Sequence, residues 1–559
     1  MTRFKVMIIT GGLISEKDSS FGHALYKQLL QWRSSEHAWL DLAIKLAIGE
    51  PLVRARLARR LARHASWKPT VEAFFAQSDN LHTPELTEVL LATLLQQSGL
   101  AFDTLSYADL FSQPKQAAAK LVDCTAIFAS TTLLRDLAEV EVVVQRLRPS
   151  GKPIILGGAL LGSLHPDWQD LDGVDTLAIG YGEYLIPALA DYIRSGFTQL
   201  VPPLGGRLQQ RGRTKLLFSG LPAGRSLDAL PEADWRLAGR PLRMVYYESV
   251  RGCPYRCSFC NYPYLFEDER FRYKSAERMA DDWQRLREQL GVEFVTCLDS
   301  LFTLPRRRLT AFCEALIRRN VGMRWICYAR ADDLADRHIV QLMQAAGAHQ
   351  VQIGIESGVQ SQLDNMNKRC TVAANRQALD NCRELGLTSV VSLIVGYPGE
   401  TADTLQQTYA LLAETRPDFY FLATFSTRIA DVPVLSPFNR ARFGLRTSDD
   451  RRTTAPYWAH RSMDCREAVG HARALHRQIM QAGISLNAAL FYPGMLDYHA
   501  SQRADLLAFQ REAISTHTWA AGLLDLGWNW VDRRLAADLA QHLAPAEDTP
   551  IIIPIQARP

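Results

Sequence analysis

Residues 244–261 read MVYYESVRGCPYRCSFCN, an apolar run that breaks into a short loop carrying Cys253, Cys257 and Cys260. The run over 244–250 predicts a strand, so the three thiols sit on the loop that follows it. Their Cys-x3-Cys-x2-Cys spacing puts three thiolates within eight residues. Thiolates are the preferred ligands of iron–sulfur clusters, and a cubane takes four of them. Three local thiolates leave one iron open, and an open position separates a catalytic metal site from a structural one. A zinc site would need a fourth ligand, and no neighbouring His or Cys supplies one. A trio of buried cysteines with no ligand is the other alternative.

Downstream, apolar runs recur at 293–298, 325–329, 351–355, 391–395 and 419–425 with helical segments between them. With 244–250 they make six βα units, a partial barrel of the TIM type over 241–440 whose site lies at the strand C-termini. Upstream, Phe4–Thr10 runs into Gly11 and Gly12, Phe102–Ser106 is a strand, and Thr125–Ala129 leads to Ser130, Thr131 and Thr132. Pro153–Leu156 leads to Gly157 and Gly158, and Asp175–Ile179 to Gly180, Tyr181, Gly182 and Glu183. Strands alternating with helices predict a doubly wound α/β domain over 1–200, with its ligand crevice at the strand ends. Glycine there lets a backbone approach a large ligand, although turns also need it. In TPELTEVLLATLLQQSG, Thr83 suits an N-cap, Pro84 a first turn and Gly99 a stop. A helical insertion is expected at 22–80, with the basic stretch RARLARRLARH at 54–64 as a solvated face. Residues 201–240 read as a linker and 441–559 as a mainly helical C-terminal domain.

Composition narrows the function classes. Of 559 residues, 47% are hydrophobic and 22% charged, and 63 basic side chains against 59 acidic leave a net charge of +4. That balance gives no reason to expect nucleic acid as partner. No run reaches the roughly 20 apolar residues that cross a bilayer, so no membrane association and a cytoplasmic location are expected. Seven further cysteines (Cys124, Cys297, Cys313, Cys327, Cys370, Cys382 and Cys465) are scattered singly and read as small buried hydrophobes.

The triad, with Phe259 just before its last cysteine, resembles the signature of the radical S-adenosylmethionine superfamily. The resemblance implies a [4Fe–4S] cluster on Cys253, Cys257 and Cys260, with S-adenosylmethionine on the open iron as the source of a 5′-deoxyadenosyl radical. It also implies a small-molecule substrate and an external electron donor such as flavodoxin or ferredoxin. Segments that match the family in order nominate Asp299 in CLDSLF, Arg330 in YARAD (with Asp332 beside it), Glu356 and Ser357 in VQIGIES, and Gly396 and Pro398 in LIVGYPGET as S-adenosylmethionine contacts. The family's usual Gly-Gly-Glu tripeptide is absent.

A doubly wound domain ahead of the barrel resembles the cobalamin-binding subfamily. Gly11, Gly12, Ser130, Thr131, Thr132, Gly157, Gly158, Gly180, Gly182 and Glu183 then stand where a corrin and its nucleotide tail are held. The Asp-x-His-x-x-Gly motif that gives cobalt a histidine is missing; Asp497-Tyr498-His499 lies outside this domain. Cysteine counting speaks against a methylthiotransferase, since only Cys124 lies in the first domain, and against auxiliary clusters, since only Cys465 follows the barrel. The resemblance implies a methyltransferase that moves a methyl group from S-adenosylmethionine by way of cobalamin to an unactivated carbon or to phosphorus of a biosynthetic intermediate. Cyclisation, ring contraction or another rearrangement without methyl transfer is the alternative, and a non-catalytic cluster-binding regulator a third. Tyr457 to His460 and Trp528 to Trp530 lie where they could close over the barrel mouth, although core packing is the plainer reading. His460 reads as a hydrogen-bonded structural residue before a proton-transfer group.

Overall fold

The computed structural model describes residues 4–12, 38–62, 64–76, 83–265, 268–427, 432–448, 456–515 and 519–543. The expected helical residues 22–37 and 77–80, and Arg63 of the basic stretch, lie outside them. Two seven-stranded sheets carry the chain. The first runs in the order Ala101–Ser106, Lys5–Thr10, Ala126–Ser130, Ile154–Gly157, Val174–Ile179, Thr214–Phe218, Arg207–Arg211. Its strands are parallel except for the last, which pairs antiparallel to its neighbour. Parallel strands are covered on both faces, and Ala126–Ser130 is buried at every position.

Residues 207–218, expected in the linker, instead form the hairpin that extends this sheet. Arg207–Arg211 holds a single apolar residue, Leu208, and is largely exposed, so it carries no apolar alternation to betray it. The helix read from Thr83 starts later, at Leu86, with Glu85 as N-cap and no side-chain cap. Thr83 Oγ1 donates instead to the Met244 carbonyl at 3.3 Å. Gly99, at φ +69°, does follow the helix end.

The second sheet orders its strands Met244–Tyr247, Phe294–Cys297, Arg324–Ala329, Ala348–Glu356, Thr388–Val395, Phe419–Thr424 and Leu486–Asn487, all parallel. The six expected strands are present, and a seventh follows the helix Cys465–Ala482. The C-terminal region is therefore part barrel, part helix, with a three-stranded sheet at Arg446–Thr447, Trp458–His460 and Met463–Asp464.

The inserted helix Ala38–Leu61 does not join the first sheet. It packs on Cys465–Ala482, Arg503–Ser515 and Trp519–His542. Glu50, 5% exposed, is the electrostatic anchor of that packing. It accepts from Arg54 Nε at 2.8 Å on its own helix and from Arg473 Nε at 2.6 Å, with Arg477 a third donor. Burial pushes its carboxyl up, but the arginines outweigh this and hold it below its ordinary value.

Candidate active site

The strand Met244–Tyr247 ends in a turn fixed by Asp299. This buried carboxylate accepts from the Ser249 amide at 2.6 Å, the Val250 amide at 2.8 Å and the Ser249 hydroxyl. Burial pushes it up to about 6, against Arg308 and those hydrogen bonds. It is 0% exposed and its oxygens are committed to the turn, so its place is to aim the cysteine loop. That loop is pinned to the barrel at both sides: Ser258 donates its amide to the Met366 carbonyl at 2.8 Å, and Asn367 Nδ2 donates to the Arg256 carbonyl at 2.7 Å.

Cys253 and Cys260 are half-buried, Cys257 is buried, and none is in a disulfide. Burial pushes the Cys260 thiol up to about 11 and the Cys253 thiol upward as well; Cys257 raises both further, and Cys253 adds to the rise at Cys260. The three are thus close enough to feel one another's charge. Among the described residues, no three His, Cys, Asp or Glu side chains close on a single metal ion.

Two cations stand beside the loop. Arg330 stacks on Tyr255 at 3.8 Å and donates to Asp332 at 2.9 Å and to the Lys368 carbonyl at 2.6 Å. Lys368 Nζ lies 5.9 Å from the Phe259 ring centre and pairs with Glu356 at 2.7 Å. Positive charge here favours thiolate over thiol. Glu356 adopts φ +61° at its strand end, a conformation that costs a non-glycine residue about 1–3 kcal/mol and is sustained by the buried pair. Gly354 makes room for that pair, because a Cβ there would stand 2.5 Å from Glu356 Oε1 and 2.7 Å from Lys368 Nζ. Reading the motifs missed Lys368; the glycine inside a strand was the available signal for a close approach.

Ser357 is fully buried, its hydroxyl 3.3 Å from that of Thr408. Gly396, at φ +87°, would carry its Cβ 2.5 Å from that of Ala468, so it is packed rather than open. Its carbonyl is 3.1 Å from His460 Nε2, and its amide donates to Glu400. The Pro398 carbonyl accepts from Asn365 Nδ2 at 3.4 Å. His460 is buried, which lowers its pKa. Burial pushes the Glu400 carboxyl up to about 8, although the Gly396 hydrogen bond favours the charged form.

A raised carboxyl contributes stability that is complete below its unfolded value of 4.5 and is lost as pH rises through about 8. Glu400→Gln keeps an acceptor for the Gly396 amide and removes the titration. Urea midpoints should therefore favour the variant increasingly from pH 5 to 8 and level off above that. A difference independent of pH would contradict the assignment.

At the strand ends of the first sheet, Ser130, Thr132, Gly157, Gly158, Gly180, Gly182 and Glu183 line one cavity of ≈ 220 Å³. Leu90, Leu94, Leu185 and Leu189 give it an apolar side. Glu248 and Arg251, from the strand end that carries the cysteines, close it from the barrel. Arg251 donates to Glu183 at 2.7 and 3.1 Å and to Glu248 at 2.7 and 2.9 Å. Burial pushes Glu183 up, but Arg251 more than reverses this and holds it low. Thr131 is buried outside the lining, its Oγ1 without a hydrogen-bond partner among the described residues. Gly11 and Gly12 do not line this cavity; Gly11, at φ +96°, faces Glu85 and the Tyr107 amide. A second, larger cavity of ≈ 760 Å³ occupies the barrel, lined on the strands by Tyr328, Gln352, Val390, Ser392 and Phe421.

Residues 247–412 match the profile of the Radical SAM superfamily. The chain is similar to the anaerobic magnesium-protoporphyrin IX monomethyl ester cyclase of Cereibacter sphaeroides, 26% identical over 56% of this chain and 53% of that protein. It is similar also to the hopanoid C-3 methylase of Methylococcus capsulatus, 28% identical over 40% of this chain and 42% of that one. The chain thus spans about half the length of these curated relatives. Among solved structures it resembles the radical S-adenosylmethionine methyltransferase TsrM from Kitasatospora setae with cobalamin and a [4Fe–4S] cluster bound, at a TM-score of 0.60 and 16% identity over 77% of this chain and 97% of that one. At that identity the likeness is one of fold: a doubly wound sheet followed by an open parallel barrel. Residues 247–412 therefore form a radical SAM domain, which in this chain follows a doubly wound one.

Proposed function

We propose that the chain is a cobalamin-dependent radical S-adenosylmethionine enzyme that transfers a methyl group to an unactivated carbon, or to phosphorus, of a small molecule. One observation carries this reading: the glycine-lined cavity of the first sheet is closed by Glu248 and Arg251, from the strand end that leads into the cysteine loop. The cluster and cobalamin sites would then adjoin.

The donor set fits the groups. Three thiolates on one pinned loop suit a cluster with a free corner. Gly182 has nothing within 4 Å of its Cβ direction, Thr131 offers an unsatisfied hydroxyl nearby, and the leucine side is apolar. The cavity suits one arm of a cobalamin, such as its nucleotide tail, rather than the whole molecule. Bound cluster and S-adenosylmethionine supply a reducing electron and a 5′-deoxyadenosyl radical, and cobalamin supplies a methyl carrier. Cys253, Cys257 and Cys260 would hold the cluster. Arg330 and Lys368 would face the carboxylate of S-adenosylmethionine, and Phe259 would pack beside it. Asp299 would act only through the loop. The helix and C-terminal segments that cover the open barrel would exclude water from the radical. A cytoplasmic setting and a low-potential protein donor such as flavodoxin or ferredoxin belong to the same reading.

Reduced, reconstituted protein should yield 5′-deoxyadenosine, S-adenosylhomocysteine and a methylated product from the correct substrate. Deoxyadenosine without S-adenosylhomocysteine would favour rearrangement, as the similarity to a cyclase also allows. Failure to cleave S-adenosylmethionine at all would favour a non-catalytic role. At Gly158, φ is +107° and a Cβ would lie 2.7 Å from the Thr132 amide nitrogen and 2.9 Å from that of Thr131. Gly158→Ala should therefore lower cobalt per chain severalfold at unchanged iron, measured by metal analysis after anaerobic reconstitution; undiminished cobalt would count against this cavity.

A further inference from the structure

The barrel cavity is walled on one side by strands and on the other by elements outside the superfamily match. Leu52, Ala55, Arg56 and Arg59 come from the inserted helix, Phe75 from the next, and Ala488 to Met495 from the C-terminal region. Its volume lies within the range of small-molecule sites. Tyr328 and Phe421 are 39% and 43% exposed although both lie on barrel strands. Phe75, Leu490, Met495 and Phe509 continue the same apolar surface. Among the described residues no Asp or Glu lines the cavity, and its charged side chains are Arg56 and Arg59.

The charge is graded along the chamber. Arg56 is exposed and Arg59 half-buried, so both stand where the cavity meets solvent. Three residues apart on one helix, they share a face. Arg59 lies over Phe75 at 4.5 Å and donates twice to Glu72, from Nε at 3.3 Å and from a terminal nitrogen at 2.5 Å. With the two side chains 30% and 44% exposed, solvent screens the pair and the guanidinium's remaining N–H groups are left for an anion to share. Burying an isolated anion is expensive. A ligand whose anionic group remains at the mouth against two guanidiniums, with its apolar part inside, avoids that cost.

Resting on the enzymatic reading above, we propose that Arg56 and Arg59 select the substrate: an apolar, ring-bearing molecule with a carboxylate or phosphate at one end, inserted ring-first toward the cysteine loop.

Two fluorescent probes test this on reconstituted full-length protein: the aromatic anion 8-anilinonaphthalene-1-sulfonate and its neutral counterpart N-phenyl-1-naphthylamine. The anion should bind about ten-fold more tightly, the effect of one charge-assisted contact. Arg56→Gln with Arg59→Gln should erase that preference and leave the neutral probe bound. Ser392→Trp, which fills the chamber, should weaken both probes, and Ala489→Phe does the same from the other wall should the first variant fold poorly. Equal affinities for the two probes, or a preference that survives the double substitution, would overturn charge selection. Undiminished binding in both filled variants would overturn the chamber. Deoxyadenosine formation from S-adenosylmethionine, followed in parallel, reports on the enzymatic reading separately.

Discussion

Cys257→Ala should leave the protein without a stable cluster: iron should fall from about four atoms per chain to near background, and 5′-deoxyadenosine formation should disappear with it. The effect is large because two remaining thiolates cannot hold three corners of a cubane and leave the last one free. Cys257 is the most buried of the trio, at 9% exposed, and the loop around it is fixed through Ser258 and Asn367. Cys313→Ala is the control. That thiol is fully buried in the barrel core with burial pushing it up to about 12, and its loss should cost about 1 kcal/mol of packing with iron retained. Iron and turnover that survive in the Cys257 variant would end the cluster assignment.

Arg251→Ala should be strongly destabilising. The guanidinium and the Glu183 carboxylate it holds are 7% and 3% exposed as side chains, so water does not screen the pair. Removing one partner of a buried pair costs about 3–5 kcal/mol, because the other charge stays buried and uncompensated. Tyr181 loses its cation at 4.8 Å in the same step. The loss falls on the seam between the sheets, so urea unfolding should move to lower denaturant and cobalt should fall as well. Adding Glu183→Gln should restore more than half of the lost stability. A double variant as unstable as the sum of its parts would show that Arg251 acts through packing instead.

Five strands of the first sheet and six of the second were legible because apolar runs that break into Gly, Ser, Cys or charged residues mark parallel strands and their ligand-side ends. The cysteine loop was legible for the same reason: its chemistry is local. What was hidden is what depends on distance. Asp299 matched a motif for ligand contact, yet its carboxylate is consumed by Ser249 and Val250; no spacing rule distinguishes a residue that faces a site from one that props it. Lys368 carries no motif and reaches the loop only through the fold. The hairpin at 207–218 was read as linker because an exposed edge strand has no apolar period. The seventh barrel strand is two residues long, below what alternation can reveal.

The inserted helix Ala38–Leu61 precedes the barrel in the chain yet packs on helices that follow it. Biosynthesis meets this arrangement in one direction only. A nascent chain halted after the radical SAM match has this helix made but without its main support, since Arg473 and Arg477, the partners of Glu50, have not been translated. The barrel cavity therefore lacks part of its lining until Phe509 is made, and cutting out the central barrel as an independent unit would remove both of its borrowed walls at once.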